Sequence, residues 1–430
     1  METSQTSIQN TKATRREFVS AFSAAGVGLS MLGSPAAKGA TASGKTMVVI
    51  FLRGGADALS LVPPAATKWA SDYFTSRPNI QIPLSTTAEL TGGDGWRLHP
   101  KFETFQQLWN ANDLAVIMGT GSPNVTRSHF EQQDLIEKGL IHNTANGGLG
   151  YLARAMPLTP GFSTLGGISV GDRLALALSG HNGSIALDLK PENLSAINSL
   201  KGRGWNVPTG LSERLKRGWI QDRVAASAPS IAAMQATNAI DLIAASQPGD
   251  GLSPEADYKI PQIRNAVGMM LRLPNMKYVT VDVEGWDTHI NMGTPTTGTF
   301  SGLVHNLDSA IGHMRKDLEA AGRWQDTCVV VMTEFGRPLK ENGNKGLDHG
   351  RGGAAFIIGG GVGRGVFTAP SFSLRTADLE DSRDIKVTID YREYMSKILQ
   401  SHMGVTENDV LAKVFPGFTP SSGLEMPLFG

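Results

Sequence analysis

The chain has 430 residues, and its 39 Lys and Arg residues balance 39 Asp and Glu residues, so its formal net charge is zero. This balance argues against nucleic acid or an anionic membrane as the main partner, because both select basic surfaces. The one cysteine, Cys328, excludes an intramolecular disulfide, so stability must come from a hydrophobic core. Cys328 lies in an apolar run and is expected to be a small buried hydrophobe. The 50 glycines favour many tight turns over a helical bundle.

The first 42 residues have the pattern of an export signal. Arg15 and Arg16 precede an apolar stretch at 19–32, and Ala40-Thr-Ala42 fits a cleavage site. The apolar stretch is too short to span a bilayer, which takes about 20 residues. We therefore predict a twin-arginine signal peptide at 1–42, with the twin-arginine export machinery as a partner. The mature chain is expected in the periplasm, on the cell surface or secreted, and not as an integral membrane protein.

Five continuous apolar runs are typical of strands that are buried on both faces of a parallel sheet. They lie at 45–52, 114–118, 278–283, 328–332 and 355–358. Apolar residues at three- and four-residue spacing predict helices at 260–273, 301–321 and 391–403. This alternation predicts an α/β fold: a doubly wound, mostly parallel central sheet with helices on both faces.

The middle of the chain has no strong buried strand after about Val170. Helical patterns occupy 211–226 and 232–245. We therefore predict a single domain over 43–430 that carries a helical insertion at about 172–275. The insertion would shape access to a substrate or would serve only for packing.

The polar residues that follow the strands predict one site. In doubly wound sheets, ligands bind beyond the carboxyl ends of the strands. Acidic or histidine side chains follow the first, third and fourth runs or lie in the loop after the fourth: Asp57, Asp287, His289, Glu334, Asp348 and His349. We expect these side chains to meet at one edge of the sheet; scattered polar loop residues are the alternative.

Carboxylate and imidazole groups in this pattern indicate a divalent cation. Asp287 and His289 are two residues apart, so in an extended segment they share a face and can bind one ion. Asp348 and His349 lie in a glycine-rich loop, which lets the backbone approach a bound group closely. Asp57 follows the first strand either as a ligand or as a helix cap. This mixture of oxygen and nitrogen ligands suits Zn or Mn.

Three residues are candidates for catalysis: Ser128, Glu334 and Arg337. Ser128 and His129 lie where a helix is expected to begin, and its positive end favours an anion, so Ser128 is a candidate nucleophile. The alternative is that Ser128 caps the helix, with Glu131 completing a capping box. Glu334 is a candidate ligand or general base, and Arg337 a candidate contact for a substrate oxyanion. An ion pair between these two that closes the strand end is the alternative.

The glycine-rich segments do not have the pattern of a nucleotide site. No G-x-G-x-x-G follows the first strand, and Gly359-Gly-Gly-Val-Gly363 lacks the Lys-Ser/Thr ending of a phosphate-binding loop. We therefore expect no nucleotide cofactor.

The sequence contains, in chain order, Phe51-Leu-Arg-Gly-Gly-Ala-Asp57, Leu98-His-Pro100, Arg127-Ser-His-Phe130, Gly285-Trp-Asp-Thr-His289, Thr333-Glu-Phe-Gly-Arg337 and Asp348-His-Gly350. Together with the paired arginines, these motifs resemble the exported bacterial family called domain of unknown function 1501, over nearly the whole chain. That family resembles the alkaline phosphatase and sulfatase superfamily in its core. The resemblance implies a central mixed sheet, a metal-supported hydrolytic site at its carboxyl edge, and a Ser or Thr nucleophile.

The superfamily pattern carries over only in part. The resemblance places four of its ligand positions on matching residues: Asp57, Asp287, His289 and His349. The superfamily's strand-end Asp-His is Glu334-Phe335 here, so one ligand is missing unless Asp348 or His349 replaces it. The nucleophile motif has no clear match, so Ser128 rests on position alone. These departures leave two metals, one metal or none open.

Two functions are expected from these observations. The first is an exported, metal-dependent hydrolase of phosphate or sulfate esters, which would take an anionic ester as its substrate. The alternative is a non-catalytic exported protein that binds or assembles a component of the cell envelope and uses a degenerate hydrolase fold. The incomplete Asp-His pair motivates this alternative.

Overall fold

The computed structural model describes residues 44–142, 148–162, 166–171, 173–181, 183–187, 258–273 and 276–429. The predicted signal peptide lies outside the described residues, as do the predicted helices at 211–226 and 232–245 and most of the predicted insertion. No helix in the described ranges is both long enough and apolar enough to span a bilayer.

The described strands form one large mostly parallel sheet and a separate two-stranded pair. They are β1 (Thr46–Leu52), β2 (Ala88–Glu89), β3 (Arg97–Leu98), β4 (Leu114–Gly121), β5 (Gly167–Val170), β6 (Ser184–Leu187), β7 (Tyr278–Val283), β8 (Thr327–Met332), β9 (Gly353–Ile358), β10 (Gly365–Phe367) and β11 (Ile389–Asp390). The large sheet has the order β10-β4-β9-β8-β1-β7-β5-β6, and β11 pairs with the end of β4. Its pairings are parallel except those of β9 with β4 and β8. The predicted sheet is therefore confirmed.

Helices cover this sheet. They are α1 (Ala58–Leu61), α2 (Ala70–Ser76), α3 (Glu103–Asn110), α4 (His129–Lys138), α5 (Tyr151–Ala155), α6 (Pro261–Arg272), α7 (Thr299–Ala320), α8 (Tyr391–Lys397) and α9 (Glu407–Asp409). A π-helical turn, Ile398–His402, continues α8, so the two together account for the helix predicted at 391–403.

The central strand β1 contributes to a hydrophobic core on each face of the sheet. Val48 and Ile50 pack in one core with residues of α3, α6 and α7. Met47 and Val49 point the other way, into a second core with residues of α5 and α8. Each such aliphatic side chain contributes about 1.5–3 kcal/mol when fully buried. The expected helices on both faces are thus present, and Cys328 is buried in the second core as expected.

Six short strands of the described residues were not predicted, β2, β3, β5, β6, β10 and β11. β5 and β6 have four residues each and continue the sheet beyond β7. A run of four residues gives too little periodicity to separate a strand from a loop or a helix, so only the pairing of β5 with β7 and of β6 with β5 identifies them.

The sheet order places the strands of the predicted site side by side. β8, β1 and β7 are parallel neighbours, so their carboxyl ends open at the same edge. Gly54 follows β1 with a φ of 114°, and a Cβ there would lie 2.5 Å from the backbone nitrogen of Asp287. The turn after β1 therefore requires glycine, because the segment after β7 lies directly against it.

Candidate metal centre

Three histidines and one aspartate converge at this edge. His349, in the loop before β9, lies at the centre, with its Nε2 atom 2.9 Å from His129 Nε2 and 2.9 Å from His289 Nε2. Asp287 Oδ1 lies 3.0 Å from His289 Nε2, 3.4 Å from His129 Nε2 and 3.5 Å from His349 Nε2. Ligand atoms of His129, Asp287 and His349 all lie within 4.8 Å of one another.

The hydrogen bonds of two of these histidines fix their tautomers. His349 Nδ1 lies 2.8 Å from the carbonyl oxygen of Arg127, so it must carry a proton and donate it. His129 Nδ1 lies 2.6 Å from the Glu334 carboxylate and donates in the same way. A neutral ring with its proton on Nδ1 has a lone pair on Nε2, and the Nε2 atoms of these two rings face each other. Two lone pairs facing each other at 2.9 Å repel unless a cation or a proton lies between them.

The spacing of these atoms fits a small transition-metal ion. Two nitrogens bound to one zinc at about 2.0–2.1 Å in a tetrahedron lie about 3.3 Å apart. The distances from His349 Nε2 and Asp287 Oδ1 to the other converging atoms, 2.9–3.5 Å, bracket that value. Burial lowers the pKa of His349 and Arg337 lowers it further, against the hydrogen bond to the Arg127 carbonyl oxygen, which raises it; the net lowering favours the neutral ring, the form that can coordinate a cation.

Arg337 holds Asp287 in place. Its guanidinium is fully buried and donates to the carbonyl oxygens of Gly55 at 2.6 Å, Leu347 at 3.0 Å and Gly54. It also donates to Asp287 Oδ1 at 2.6 Å. Partial burial raises the pKa of Asp287, but Arg337 and the histidines together lower it more, so the carboxyl is ionised. The placement gives Arg337 a positioning role and does not present it to a substrate oxyanion.

Glu334 is a positioning residue as well. Its carboxylate is fully buried and accepts from Gly54 N at 2.8 Å, Gln133 Nε2 at 2.8 Å and Thr333 Oγ1 at 2.8 Å, besides His129. Burial raises the pKa of Glu334, but these donors together lower it more. With both oxygens occupied, Glu334 acts on the site through His129, as in carboxylate–histidine–metal arrangements. Its placement does not support a role as a ligand or a general base.

Asp57 lies outside the converging group. Its side chain accepts from Ser60 N at 2.8 Å and so caps α1, which is the alternative that the sequence offered. Its second oxygen accepts from Arg77 at 3.0 Å in an ion pair whose two side chains are completely buried. Asp57 thus stabilises the fold beside the site, and we leave it out of the candidate centre.

Asp348 lies at the exposed side of the group. Its Oδ1 atom is 3.6 Å from His289 Nδ1 and accepts a hydrogen bond from Asn342 Nδ2 at 3.0 Å. That hydrogen bond and His289 lower the pKa of the carboxyl below its ordinary value, so Asp348 is ionised. Asp348 therefore faces the ring nitrogen of His289 that points away from the other histidines.

Ser128 occupies the N-cap position of α4, directly before His129. Its side chain is exposed and makes no capping hydrogen bond. Glu131 Oε2 accepts from Thr126 Oγ1 at 2.8 Å, so no capping box forms with Ser128. The exposed hydroxyl is therefore not used for capping, and Ser128 directly precedes His129 in the chain.

The sequence analysis did not assign His129 or Gln133 to the metal site. Both lie in the first turns of α4, after β4, whose carboxyl end is at the same edge as those of β8, β1 and β7. The strand-edge rule does point to His129, because the motif Arg127-Ser-His-Phe130 follows β4, but the sequence analysis placed His129 beside the candidate nucleophile and not among the metal ligands. Gln133 had no comparable signal.

Comparison with known sequences finds a family model that matches one part of the chain. Residues 232–415 match the family model described as "Protein of unknown function (DUF1501)". This match confirms the resemblance that the motifs indicated, and it contains Asp287, His289 and His349 but not His129. No curated protein matches the chain.

Solved structures with similar folds include members of one superfamily. A protein in the alkaline phosphatase superfamily from Vibrio parahaemolyticus has a TM-score of 0.34 and 10% identity, over 75% of this chain and 62% of that one. The sulfatase PsFucS1 from Pseudoalteromonas sp. has a TM-score of 0.36 and 10% identity, over 85% of this chain and 68% of that one. The phosphonate monoester hydrolase of Agrobacterium radiobacter has a TM-score of 0.35 and 11% identity, over 84% of this chain and 74% of that one. Likenesses at this level do not transfer an activity.

Proposed function

We propose that the chain is an exported, metal-dependent hydrolase of phosphate or sulfate esters. One observation carries the proposal: His129 and His349 both use Nδ1 as a donor and turn unprotonated Nε2 atoms toward each other at 2.9 Å. A cation or a shared proton between these atoms relieves the repulsion, and Asp287 supplies a carboxylate oxygen 3.4 and 3.5 Å from them. A divalent cation fits the donor set.

The residues that would hold the cation are His129, His349, Asp287 and His289. A bound Zn or Mn ion would supply a Lewis acid that stabilises negative charge on the ester oxygens. Glu334 and Arg337 keep His129 and Asp287 oriented, since each is buried and bonded to one of them.

Ser128 is the proposed nucleophile. Its exposed hydroxyl lies next to His129 at the N-terminus of α4, where the helix dipole favours an anion. The hydroxyl oxygen forms a bond to phosphorus or sulfur as the bond to the leaving alcohol breaks, and the serine proton ends on that alcohol. Water then hydrolyses the serine ester, which releases phosphate or sulfate and restores the hydroxyl.

Metal analysis and turnover test this proposal together. Purified mature protein is expected to contain stoichiometric metal, and the variant His129→Ala/His349→Ala is expected to lose it. His305→Ala, an exposed histidine on α7, is the matched control and should keep the metal. Ser128→Ala should retain the metal and lose ester hydrolysis. Absence of metal from the wild-type protein, or wild-type turnover by Ser128→Ala, would overturn the corresponding part of the proposal.

One observation favours the alternative of a non-catalytic binding protein of the cell envelope. Of the three side chains expected to be catalytic, Glu334 and Arg337 are fully buried and bonded within the protein. A protein that binds metal stoichiometrically and cleaves no member of a broad ester panel would support this function instead.

Export is proposed from the N-terminal pattern alone. Replacement of both Arg15 and Arg16 by lysine is expected to keep the chain in the cytoplasm, because twin-arginine signals are recognised through the arginine pair. Cell fractionation measures the distribution. An unchanged distribution would remove the export proposal and leave the metal centre untouched.

A further inference from the structure

Exposed hydrophobic side chains are concentrated at the candidate metal centre. Six large hydrophobic side chains are exposed among the described residues. Three of them flank the centre: Val125 is 69% exposed, Phe130 88% and Ile290 63%. These three residues are called the apolar rim below.

His349 contacts the segments of the chain that carry the apolar rim. It contacts the carbonyl oxygen of Arg127, the ring of His129 and the ring of His289, at 2.8–2.9 Å. Val125 is two residues before the first of these contacts, and Phe130 and Ile290 each directly follow one of the others. Phe130 and Ile290 are therefore bonded directly to two of the converging histidines, with Cα atoms about 3.8 Å from theirs, and Val125 is two residues from Arg127.

The rim is interleaved with polar groups, and this limits what can occupy it. Ser128 and Asp287 lie in the same segments and are also exposed. Three separated hydrophobes are too few for a stable protein interface, which buries about 800 Å² per partner. An occupant must instead present an anionic group to the centre and an apolar group beside it.

We propose that the apolar rim binds the apolar part of an amphiphilic anionic ester, such as an aryl or alkyl phosphate or sulfate. This inference rests on the proposed function, because it assigns the substrate class of the same site. The anionic head would lie at the histidine group, and the aryl or alkyl group would cover Phe130 and Ile290.

Probe binding tests the rim without turnover. Anilinonaphthalene sulfonate is an aromatic anion with no ester bond to cleave, and its fluorescence rises in apolar surroundings. The double variant Phe130→Ser/Ile290→Ser is expected to bind it about tenfold more weakly than wild type, since covering a large apolar side chain is worth at least that factor. Leu84→Ser removes an exposed hydrophobe elsewhere and is the matched control, expected to bind as wild type does.

Three outcomes would overturn the inference. The first is equal affinity of the double variant and the wild type for the probe. The second is an equal loss in Leu84→Ser. The third is a change in the oligomeric state of the double variant by sedimentation, which would assign the rim to self-association.

A kinetic arm separates this inference from the proposed function. With decyl and methyl phosphate as substrates, the double variant should raise KM about tenfold for the decyl ester only. If the double variant changes KM equally for the decyl and methyl esters, the rim does not bind the apolar group, and the proposed hydrolase function is unaffected. Rim-dependent binding of the probe with no ester hydrolysis would overturn the hydrolase and leave the rim standing.

Discussion

Replacement of Glu334 by glutamine tests whether a buried carboxylate controls metal binding through His129. The substitution removes the negative charge and preserves the shape of the side chain. Its amide oxygen can still accept from Gly54 N and Gln133 Nε2. Its amide nitrogen can donate to Thr333 Oγ1, whose own proton can go to the Leu52 carbonyl oxygen at 2.8 Å. The fold should therefore survive.

The expected effect of Glu334→Gln is weaker metal binding. The carboxylate lies 2.6 Å from His129 Nδ1, so it both fixes the tautomer and makes Nε2 more basic. Loss of such an outer carboxylate weakens metal affinity about 10–100-fold, which corresponds to about 1.4–2.7 kcal/mol. A neutral amide oxygen still accepts the hydrogen bond from His129 Nδ1, so we expect the loss of metal affinity in Glu334→Gln to lie in the lower half of this range.

Competition with a chromophoric chelator measures the affinity for Zn and Mn, and urea unfolding checks the fold. Glu319→Gln, an exposed carboxylate on α7 that pairs with Arg315, is the matched control and should bind metal as wild type does. A Glu334→Gln protein that is folded and binds metal within twofold of wild type would refute the link from Glu334 to His129.

Three further predictions concern stability. Asp57→Ala leaves the buried Arg77 without its partner and should lower the free energy of unfolding by about 3–5 kcal/mol with metal content unchanged; urea midpoints and metal analysis measure both. His402 is buried, and this lowers its pKa to about 4, so the unfolded state binds the extra proton first as pH falls through 6.5. His402 should therefore contribute a fall in the free energy of unfolding of about 1.4 kcal/mol per pH unit between pH 6.5 and 4, and His402→Gln should remove that part of the slope. Gly336→Ala would place a Cβ against the backbone of Gly352, just before β9, and should lower the free energy of unfolding by about 3 kcal/mol. Gly343→Ala is the control: nothing lies within 4 Å of its Cβ, so the same urea assay should show little loss of stability.

The sheet could be predicted from the sequence because its central strands are buried on both faces. The runs at 278–283 and 328–332 match β7 and β8 to within one residue, since both faces select apolar side chains there. Strand order could not be predicted in the same way. β9 runs antiparallel between β4 and β8, and nothing in its apolar run differs from those of the parallel strands.

The position of the candidate site could be predicted from the sequence, but the role of each residue in it could be predicted less well. The strand-edge rule correctly brought Asp287, His289 and His349 together, because loops after adjacent parallel strands must meet. Sequence spacing does not show which donors a carboxylate already satisfies. Glu334 is occupied by four donors and Asp57 by Arg77, and both facts depend on segments far away in the chain.

The strand-end position where the superfamily has Asp-His, and this chain has Glu334-Phe335, explains how a centre can exist without that pair. Glu334 bonds to His129 and to Gly54 N, and Arg337 bonds to Asp287 and to the carbonyl oxygens after β1. Phe335 packs against the rings of His129 and His349, at centroid distances of 4.6 and 5.1 Å. The strand end thus supplies no ligand and orients the groups that do. Because His129 enters this group of side chains from α4, the proposed centre has an imidazole without one from the end of β8.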